Sequence, residues 1–395
     1  MKVLAFAYAC EPHEGSEPGA GWAWARMLTG IGETWVVTRS NNREPIEAAL
    51  LNVPERERLR FVYVDLPRWA RFWKKGQRGV RLYYLLWQIV AVRQARRLTR
   101  RERFDLVWHL TLANVWIGSL APLVGGIFVY GPVGGGARTP WRLLPSLGIR
   151  GVFYELFRTA ISSAARYLNP LARLAWRRAA LVLVQNPETR AWLPRRHRAK
   201  AVVFPNAVLE EPQRVERRRR PGPRTALFAG RLLPSKGLAL AIRALELLPE
   251  WILVICGEGR DETRLRRLAR RLGVDERVKL RGWVSREELQ RAMREDADVL
   301  LFPSYHEQAG WAVAEALAAG LPVVCLDRGG APVLGGIPVK TSDTKGTARA
   351  LAVGVRNAHS TGVTRIPTLL NQRERLVALV DERRLTDAVG RPPAS

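Results

Sequence analysis

Short apolar runs alternate with amphipathic stretches along this chain, and the alternation begins twice. Such a pattern is typical of parallel strands that are covered by helices on both faces of a sheet. It therefore predicts an α/β protein with two parallel sheets. The strands expected in the first half are Val3–Tyr8, Trp35–Thr38, Phe61–Val64, Leu106–Leu110, Ile127–Tyr130, Leu181–Gln185 and Val202–Pro205. Those expected in the second half are Ala226–Ala229, Trp251–Cys256, Val278–Arg281, Val299–Pro303 and Val323–Leu326.

Between the two series lies Leu209–Arg224, which is rich in charge and proline and has no hydrophobic periodicity. At 395 residues the chain is too long for one ordinary hydrophobic core, so two domains are expected. We predict Rossmann-like domains over 1–208 and 225–370, joined by a linker over 209–224. Ligands of open parallel sheets bind beyond the carboxyl ends of the strands. The two sheets should therefore face each other across a central cleft.

The formal net charge is +28 at pH 7, and most of the excess lies in the first 207 residues. Such a field favours an anionic partner, either membrane lipid or nucleic acid, although arginines that only solvate the surface give the same charge. Basic and aromatic residues are interleaved in Arg68–Arg103. This mixture suits an anionic bilayer or single-stranded nucleic acid, and a half-buried helical pair with a solvated basic face is the simpler alternative. The aromatic residues are Trp69, Phe72, Trp73, Tyr83, Tyr84 and Trp87.

Two apolar stretches could be taken for targeting or membrane segments. Met1–Cys10 has one basic residue and a short apolar part, so we expect a buried strand there and no secretory or lipoprotein signal. Thr111–Ala137 is uncharged and long enough to span a bilayer, but prolines and glycines interrupt it. We expect a buried helix, a strand and a glycine-rich loop in that stretch. The cysteines lie in apolar runs without metal-binding spacing and are expected to be buried, reduced thiols. They are Cys10, Cys256 and Cys325.

The segment Ser304–Gly330 contains the densest group of candidate functional residues. Glu307 lies in a polar loop, and Glu315 follows inside a short alanine-rich helix with seven residues between them. The amides at a helix N-terminus, here near Gly310, attract an anion, and two carboxylates can accept hydrogen bonds from hydroxyl groups. A nucleotide-activated sugar needs both kinds of partner.

This segment resembles the E-x7-E signature of the family-4 retaining glycosyltransferases, which have the GT-B fold. The loop Glu, the small-residue helix, the Gly-Leu-Pro stop, the β-run and the Gly-Gly turn follow in the family's order. The sequence departs from the family at Gln308 and Ala309, where a glycine and an aromatic residue usually stand. The resemblance implies that Glu307 holds donor-sugar hydroxyls, that Glu315 holds the ribose diol, and that Gln308, Ala309 and Gly310 also border the donor.

The resemblance also bears on the end of the chain. Residues from Asn371 to Val389 have the pattern of a charged amphipathic helix. In the family a C-terminal helix crosses back to the first domain. We accordingly expect 371–395 to pack on the N-terminal domain.

A basic turn follows the first strand of the second domain, at Gly230–Gly237. Arg231 and Lys236 can converge on a diphosphate there, the guanidinium as a fork and the ammonium as a point charge. The spacing is not that of a Walker A loop, and it is similar to the family's Gly-Arg…Lys-Gly motif, although an ordinary basic turn is the alternative. The glycines expected against the nucleotide, or else in plain turns, are Gly230, Gly257, Gly259 and Gly282.

The first domain offers two glycine-rich loops and one histidine after its strands. The loop Cys10–Trp22 leads to a helix expected from Ala20, and the resemblance places such a loop at the cleft floor between acceptor and donor. The glycines expected to border the cleft are Gly19, Gly21, Gly134 and Gly135. His109 ends a strand, where the family commonly has a histidine that contacts the donor sugar. A histidine of the core or surface is the alternative.

Asp296-Ala-Asp298 matches the D-x-D motif of metal-dependent GT-A transferases. Asp298 opens a strand, however, so it should lie far from the carboxyl end where a ligand binds. The sequence contains no His/Cys cluster with zinc spacing. We therefore expect neither a metal nor another cofactor.

The combined prediction is transfer of a sugar from a nucleoside diphosphate sugar to a hydroxyl acceptor, expected to be a lipid-linked, envelope or polysaccharide glycan. Retention of configuration is implied by the resemblance. Arg231, Lys236, Glu307 and His109 are the expected catalytic residues. The expected location is the cytoplasm, with peripheral attachment to the inner face of the plasma membrane through Arg68–Arg103.

The alternative is a non-catalytic GT-B scaffold that binds nucleic acid or anionic membrane through its basic N-terminal domain. A protein that only binds has no need of Arg231, Lys236, Glu307 and Glu315 together. Nucleic acid is accordingly the less expected partner.

Overall fold

The structure is a computed structural model that describes residues 1–70, 79–210, 221–358, 366–383 and 385. Its two parallel sheets confirm the predicted α/β class. The first sheet has seven strands in the order β3-β2-β1-β4-β5-β6-β7. These strands are β1 (Lys2–Phe6), β2 (Glu33–Thr38), β3 (Leu59–Tyr63), β4 (Leu106–His109), β5 (Ile127–Val133), β6 (Ala179–Val184) and β7 (Ala201–Val203).

The second sheet has six strands in the order β10-β9-β8-β11-β12-β13, again all parallel. Its strands are β8 (Arg224–Ala229), β9 (Trp251–Cys256), β10 (Val278–Gly282), β11 (Val299–Phe302), β12 (Val323–Leu326) and β13 (Ile337–Val339). The order reverses between β1 and β4 in one sheet and between β8 and β11 in the other. These switch points open crevices beyond the strand ends, where ligands of such sheets bind.

Helices cover both sheets. The first sheet is accompanied by α1 (Ser16–Leu28), α2 (Arg43–Leu50), α3 (Val80–Leu98), α4 (Gly148–Leu168), α5 (Pro170–Arg178), α6 (Pro187–Trp192) and α7 (Arg195–Arg198). The second is accompanied by α8 (Leu238–Glu246), α9 (Glu262–Arg271), α10 (Arg286–Arg291), α11 (Trp311–Ala318) and α12 (Thr344–Arg356). The helix α13 (Leu369–Glu382) follows. No helix in the described ranges is both long and apolar enough to cross a membrane.

Strand alternation divides the core of the first domain into two layers. Val3 and Ala5 of β1 pack with α1 on one face of the sheet, whereas Leu4 and Phe6 pack with α3 on the other. Successive side chains of a strand point to opposite faces, so a buried parallel strand is apolar throughout. The second domain has one continuous core around β8, β9, β11 and β12.

The helix α13 lies against the first domain. Leu376 and Val380 belong to the core layer that contains α1. The Arg373 guanidinium donates to the carbonyl oxygen of Arg26 at 3.0 Å and also contacts the Glu55 carboxylate. The end of the chain therefore covers the outer side of α1.

The structure corrects three expectations about local structure. Thr111–Leu120 forms turns and no helix, because Gly118 (φ +90°) packs against the backbone of α5 where a Cβ would lie 2.4 Å from the Ala172 nitrogen. The helix α1 begins at Ser16 and not at Ala20, since Pro18 is tolerated in a first helical turn. The strand β13 was not predicted, because it has only three residues and contains Pro338.

The structure also corrects the expectation that the aromatic residues of Arg68–Arg103 face a partner. Tyr83, Tyr84 and Trp87 lie on the inner side of α3 and are fully buried in the core. Trp69 is exposed, whereas Phe72 and Trp73 fall in 71–78, outside the described residues. The described part of this segment thus matches the half-buried helix that was the simpler alternative. All three cysteines are buried and unpaired, and burial raises the pKa of each thiol.

Candidate functional site

A cleft of about 1040 Å³ lies between the two domains, at the carboxyl ends of both sheets. Five basic side chains line it, and they come from both walls. They are Arg81, Arg158, Arg231, Lys236 and Arg260. Three carboxylates, those of Glu17, Glu155 and Glu307, also line it. A site of this composition can hold a polyanion and also accept hydrogen bonds from hydroxyl groups.

The structure brings Lys236 and Glu307 into contact. Lys236 Nζ lies 2.6 Å from Glu307 Oε2, and the other carboxylate oxygen accepts a bond of 3.1 Å from the Gly310 amide. Both side chains are largely buried at the cleft wall. The two bonds place the Lys236 ammonium and the start of α11 at the same part of the cleft wall, and both groups are favourable partners for an anion.

Arg231 lines the same cavity and is exposed to it. It follows β8 directly, and Gly230 has φ +147°, which lets the chain leave the strand sharply. Arg260, from the loop after β9, lies with its guanidinium 5.4 Å from the centre of the Tyr154 ring on the opposite wall. Two arginines and one lysine of the second domain therefore point into the cleft.

The other glycines expected at the donor side act through close packing of backbone. A Cβ on Gly257 would lie 2.0 Å from the Gly230 oxygen, and one on Gly259 would lie 2.3 Å from the Leu232 oxygen. The Gly257 amide donates to the Gly282 oxygen at 2.6 Å. These glycines shape the strand ends but do not themselves line the large cavity.

Glu315 lies away from the large cavity, on α11. Its Oε1 accepts a bond of 3.1 Å from Arg286, which also donates to the His13 oxygen of the first domain at 3.3 Å. Burial raises the pKa of Glu315, and the arginine opposes that rise. Trp311 lines both the large cavity and a small one of about 90 Å³ beside Arg286, so it connects the two regions.

Gln308 crosses the cleft. Its Oε1 accepts a bond of 2.9 Å from the Gly135 amide and one of 3.2 Å from Asn186 Nδ2, both in the first domain. A Cβ on Gly134 would lie 2.6 Å from the same oxygen. Ala309 lines the cavity next to it. Of the two positions at which the sequence departs from the family, Gln308 therefore joins the domains and Ala309 borders the cavity.

The loop after β1 contributes different residues from those expected. Gly19 and Gly21 are buried within α1, where Cβ atoms would lie 2.0 Å from the oxygens of Glu14 and Ala9, so they are packing positions. Ser16 and Glu17 line the cavity instead. Glu17 Oε1 accepts a bond of 2.5 Å from the Leu112 amide, and burial raises the pKa of this carboxyl group.

His109 does not line the cleft, which corrects the expectation that it contacts the sugar. It is 1% exposed, and its ring nitrogens lie 2.6 Å from the Tyr84 hydroxyl and 2.7 Å from Ser119 Oγ. Its side chain leaves β4 on the face covered by α3, so it points into the core and not past the strand end. Burial lowers its pKa to about 4, which keeps the imidazole neutral at pH 7.

Sequence reasoning missed a polar cluster that joins the two domains at the cleft. His306 Nε2 lies 3.1 Å from Glu155 Oε1 and 2.8 Å from Thr139 Oγ1, and Arg158 donates to both Glu155 oxygens. Burial opposes ionisation of Glu155, but the bonds from His306 and Arg158 outweigh it and hold its pKa at about 2. Only the tertiary fold brings these residues together, so no local signal could have revealed them.

Two polar atoms of the cavity wall are buried and have no hydrogen-bond partner among the described residues. They are Gln185 Oε1 and Trp116 Nε1, an acceptor and a donor. An unpaired buried polar group is costly, so such groups usually meet a ligand or water. Neither residue stands in a motif that could have singled it out.

Asp298 lies at the opposite end of the second sheet from the cleft. Its Oδ2 accepts a bond of 2.8 Å from the Thr225 amide, where β8 and β11 begin. The described ranges contain no group of three or more His, Cys, Asp or Glu that could hold a metal ion. The expectation that no metal is needed stays a prediction.

Comparison with known proteins identifies the second domain. Residues 210–335 match the family described as glycosyl transferases group 1. A D-inositol 3-phosphate glycosyltransferase of Mycobacteroides abscessus is 39% identical over 123 residues, which is 30% of this chain and 26% of the relative. The lipopolysaccharide core biosynthesis glycosyltransferase LpsE of Rhizobium meliloti is 33% identical over 127 residues, 31% of this chain and 36% of that protein. The matched part spans only about a quarter to a third of these curated relatives.

Solved structures extend the likeness of fold to the whole chain. The Anabaena protein HepE, solved in complex with UDP and glucose, superposes with a TM-score of 0.58 over 97% of this chain and all of its own, at 15% identity. The lipopolysaccharide outer core galactosyltransferase WaaB superposes with a TM-score of 0.59 over 98% and 99% of the two chains, at 14% identity. The chain therefore has the GT-B fold, and residues 210–335 within it match the glycosyl transferases group 1 family.

Proposed function

We propose that this protein transfers a sugar, with retention of configuration, from a nucleoside diphosphate sugar to a hydroxyl acceptor. The observation that carries the proposal is the contact between Lys236 and Glu307 beside Arg231, in a cleft lined by cations from both domains. The barrier of such a transfer is expulsion of the diphosphate from the anomeric carbon. Arg231, Lys236 and the start of α11 would stabilise the negative charge that develops on the leaving group.

In this proposal the carboxylates of Glu307 and Glu315 accept hydrogen bonds from hydroxyl groups of the donor. Glu307, fixed by Lys236 and the Gly310 amide, would hold donor-sugar hydroxyls, and Glu315 would hold the ribose diol. Neither Glu307 nor Glu315 is assigned as a covalent nucleophile. The sugar transfer would rely on side chains and backbone amides of this chain and would not require a metal.

The acceptor is proposed to be a lipid-linked or envelope glycan, and the enzyme to act in the cytoplasm at the membrane surface. Relatives named for inositol phosphate and lipopolysaccharide core glycosylation support a glycoconjugate acceptor. The HepE structures were solved with UDP-glucose and with UDP and glucose, which supports a nucleoside diphosphate sugar as donor.

A panel of nucleoside diphosphate sugars tests the proposal. One member should raise the melting temperature, and the same member should then release its nucleoside diphosphate in the presence of acceptor lipid extract. Retention is read from the anomeric configuration of the product by NMR. A protein that binds no member and cleaves none would support the alternative, a non-catalytic scaffold.

A further inference from the structure

The helix α4 carries its apolar side outward. Phe153 and Phe157 are 70% and 66% exposed, and Ile149, Leu156 and Leu168 are more than half exposed as well. These residues recur at intervals of three and four, so they form one continuous stripe along the helix. This arrangement is the reverse of an ordinary surface helix. Ile161 and Tyr167 continue the exposed stripe.

The opposite side of α4 is polar and buried. Glu155 is 3% exposed and accepts a bond of 2.9 Å from the Thr139 amide, and Ser162 is 2% exposed. Gly151 lets the helix approach Pro234 of the second domain, where a Cβ would lie 2.9 Å away. Polar contacts and the packing of Val152 therefore fix the helix to the protein, while the apolar side chains of the outer stripe stay exposed.

The surroundings of the stripe are strongly basic. Residues 141–178 contain seven arginines and a single acidic residue, the buried Glu155; Arg158 pairs with it on the inner side of α4, which leaves six arginines outside that pair. Trp141, which precedes α4, is 72% exposed and has the Arg142 guanidinium 5.0 Å from its ring centre. An exposed apolar stripe flanked by arginines and aromatic residues has the composition of a helix that lies in a membrane interface.

Charge distinguishes two possible partners of the outer face of α4, a second copy of the chain and an anionic bilayer. A second copy of the chain would place the same arginines against each other on a protein of net charge +28. An anionic bilayer instead attracts each arginine near its surface and accepts the apolar side chains below the headgroups. The stripe from Ile149 to Leu168 is about 30 Å long at 1.5 Å per residue, enough to lie flat on a membrane.

We propose that the outer face of α4 docks this protein on an anionic lipid surface, and that docking brings the cleft to a lipid-anchored acceptor. The inner side of the same helix forms part of the cleft wall through Gly151, Tyr154, Glu155 and Arg158. One helix thus contacts the bilayer on one side and the reaction space on the other. The acceptor part of this inference rests on the proposed function, whereas the docking part rests on α4 alone.

Flotation with lipid vesicles tests the docking. Wild-type protein should float with vesicles that contain phosphatidylglycerol, less with phosphatidylcholine alone, and less at high salt. Phe153→Ser combined with Phe157→Ser should lower the vesicle partition constant about tenfold or more, because both rings lose their place among the acyl chains. The matched control is Leu51→Ser combined with Leu370→Ser, two exposed leucines outside α4, which should float like wild type.

Equal flotation of the two double variants would overturn the proposal. So would a wild-type dimer in gel filtration that the phenylalanine substitutions dissociate, if that protein did not float. The function is judged separately, by cleavage of the donor sugar with a soluble acceptor. A variant that no longer floats but still transfers to a soluble acceptor supports both proposals. A protein that floats through α4 but transfers no sugar overturns only the function.

Discussion

Lys236 Nζ lies 2.6 Å from Glu307 Oε2, although the two residues are 71 positions apart in the chain. The ion pair joins the turn after β8 to the loop before α11, so the cation and the helix start face the same space. Only the tertiary fold brings the Lys236 ammonium and the start of α11 together, since the two segments are distant in the sequence. The pair is thus the centre of the proposed donor site.

Lys236→Ala should lower kcat/KM by about 100-fold or more, because it removes a charge that stabilises the leaving diphosphate. Arg231→Ala should have an effect of the same order. Steady-state kinetics with the identified donor measure both, and circular dichroism should show an unchanged fold. The matched control is Lys279→Ala on β10, outside the cavity lining. Near-normal turnover of either site variant would remove that residue from the diphosphate site.

Gln308→Ala should loosen the contact between the domains. It removes two hydrogen bonds across the cleft, to Gly135 and Asn186, each contributing about 1 kcal/mol. Small-angle X-ray scattering should show a larger radius of gyration, and the donor KM should rise about tenfold. Gln94→Ala on α3, outside the cavity lining, serves as control. An unchanged radius and KM would show that Gln308 does not hold the domains together.

Much of the fold could be predicted from the sequence, because buried parallel strands are continuous apolar runs. Trp251–Cys256 and Val323–Leu326 were predicted with their exact ends, since both are buried on two faces and followed by glycine or a charged turn. Thr111–Leu120 was misjudged because its apolar residues fit a buried helix equally well. Only the packing of Gly118 against α5 shows why it turns.

Residues of the candidate site could be predicted from the sequence only where a single segment contains a recognisable motif. Lys236 and Glu307 stood out because each follows a strand end in a recognisable motif. The cluster of Glu155 and His306 could not be foreseen, since these residues come from different domains. His109 was misplaced because a strand end can direct its last side chain to either face of the sheet.

Activity should survive EDTA. The Asp298 carboxylate bonds the Thr225 amide at the end of the sheet away from the cleft, and the charge of the diphosphate can be met by Arg231 and Lys236. The measurement is turnover before and after dialysis against chelator. The control is the same dialysis followed by addition of Mn²⁺ or Mg²⁺. Loss of activity with EDTA and its recovery with Mn²⁺ would contradict the prediction.

His109 should make the protein less stable in acid. Its pKa is about 4 in the folded chain against 6.5 for an ordinary histidine, because burial disfavours the charged ring. As the pH falls below 6.5 the unfolded chain therefore binds more protons than the folded one, and stability is lost. Between pH 6.5 and 5 this histidine alone should lower the free energy of unfolding by about 1.5 kcal/mol.

Chemical denaturation of wild type and His109→Gln at pH 6.5 and pH 5 measures this contribution. The variant should be less stable at both values, because Tyr84 and Ser119 lose a well-placed partner, but its stability should fall less between them. Its kcat/KM should fall by less than about tenfold, unlike the loss expected for Lys236→Ala. An equal dependence on pH would show that His109 is not held neutral, and a 100-fold loss of kcat/KM would restore a direct role in the reaction.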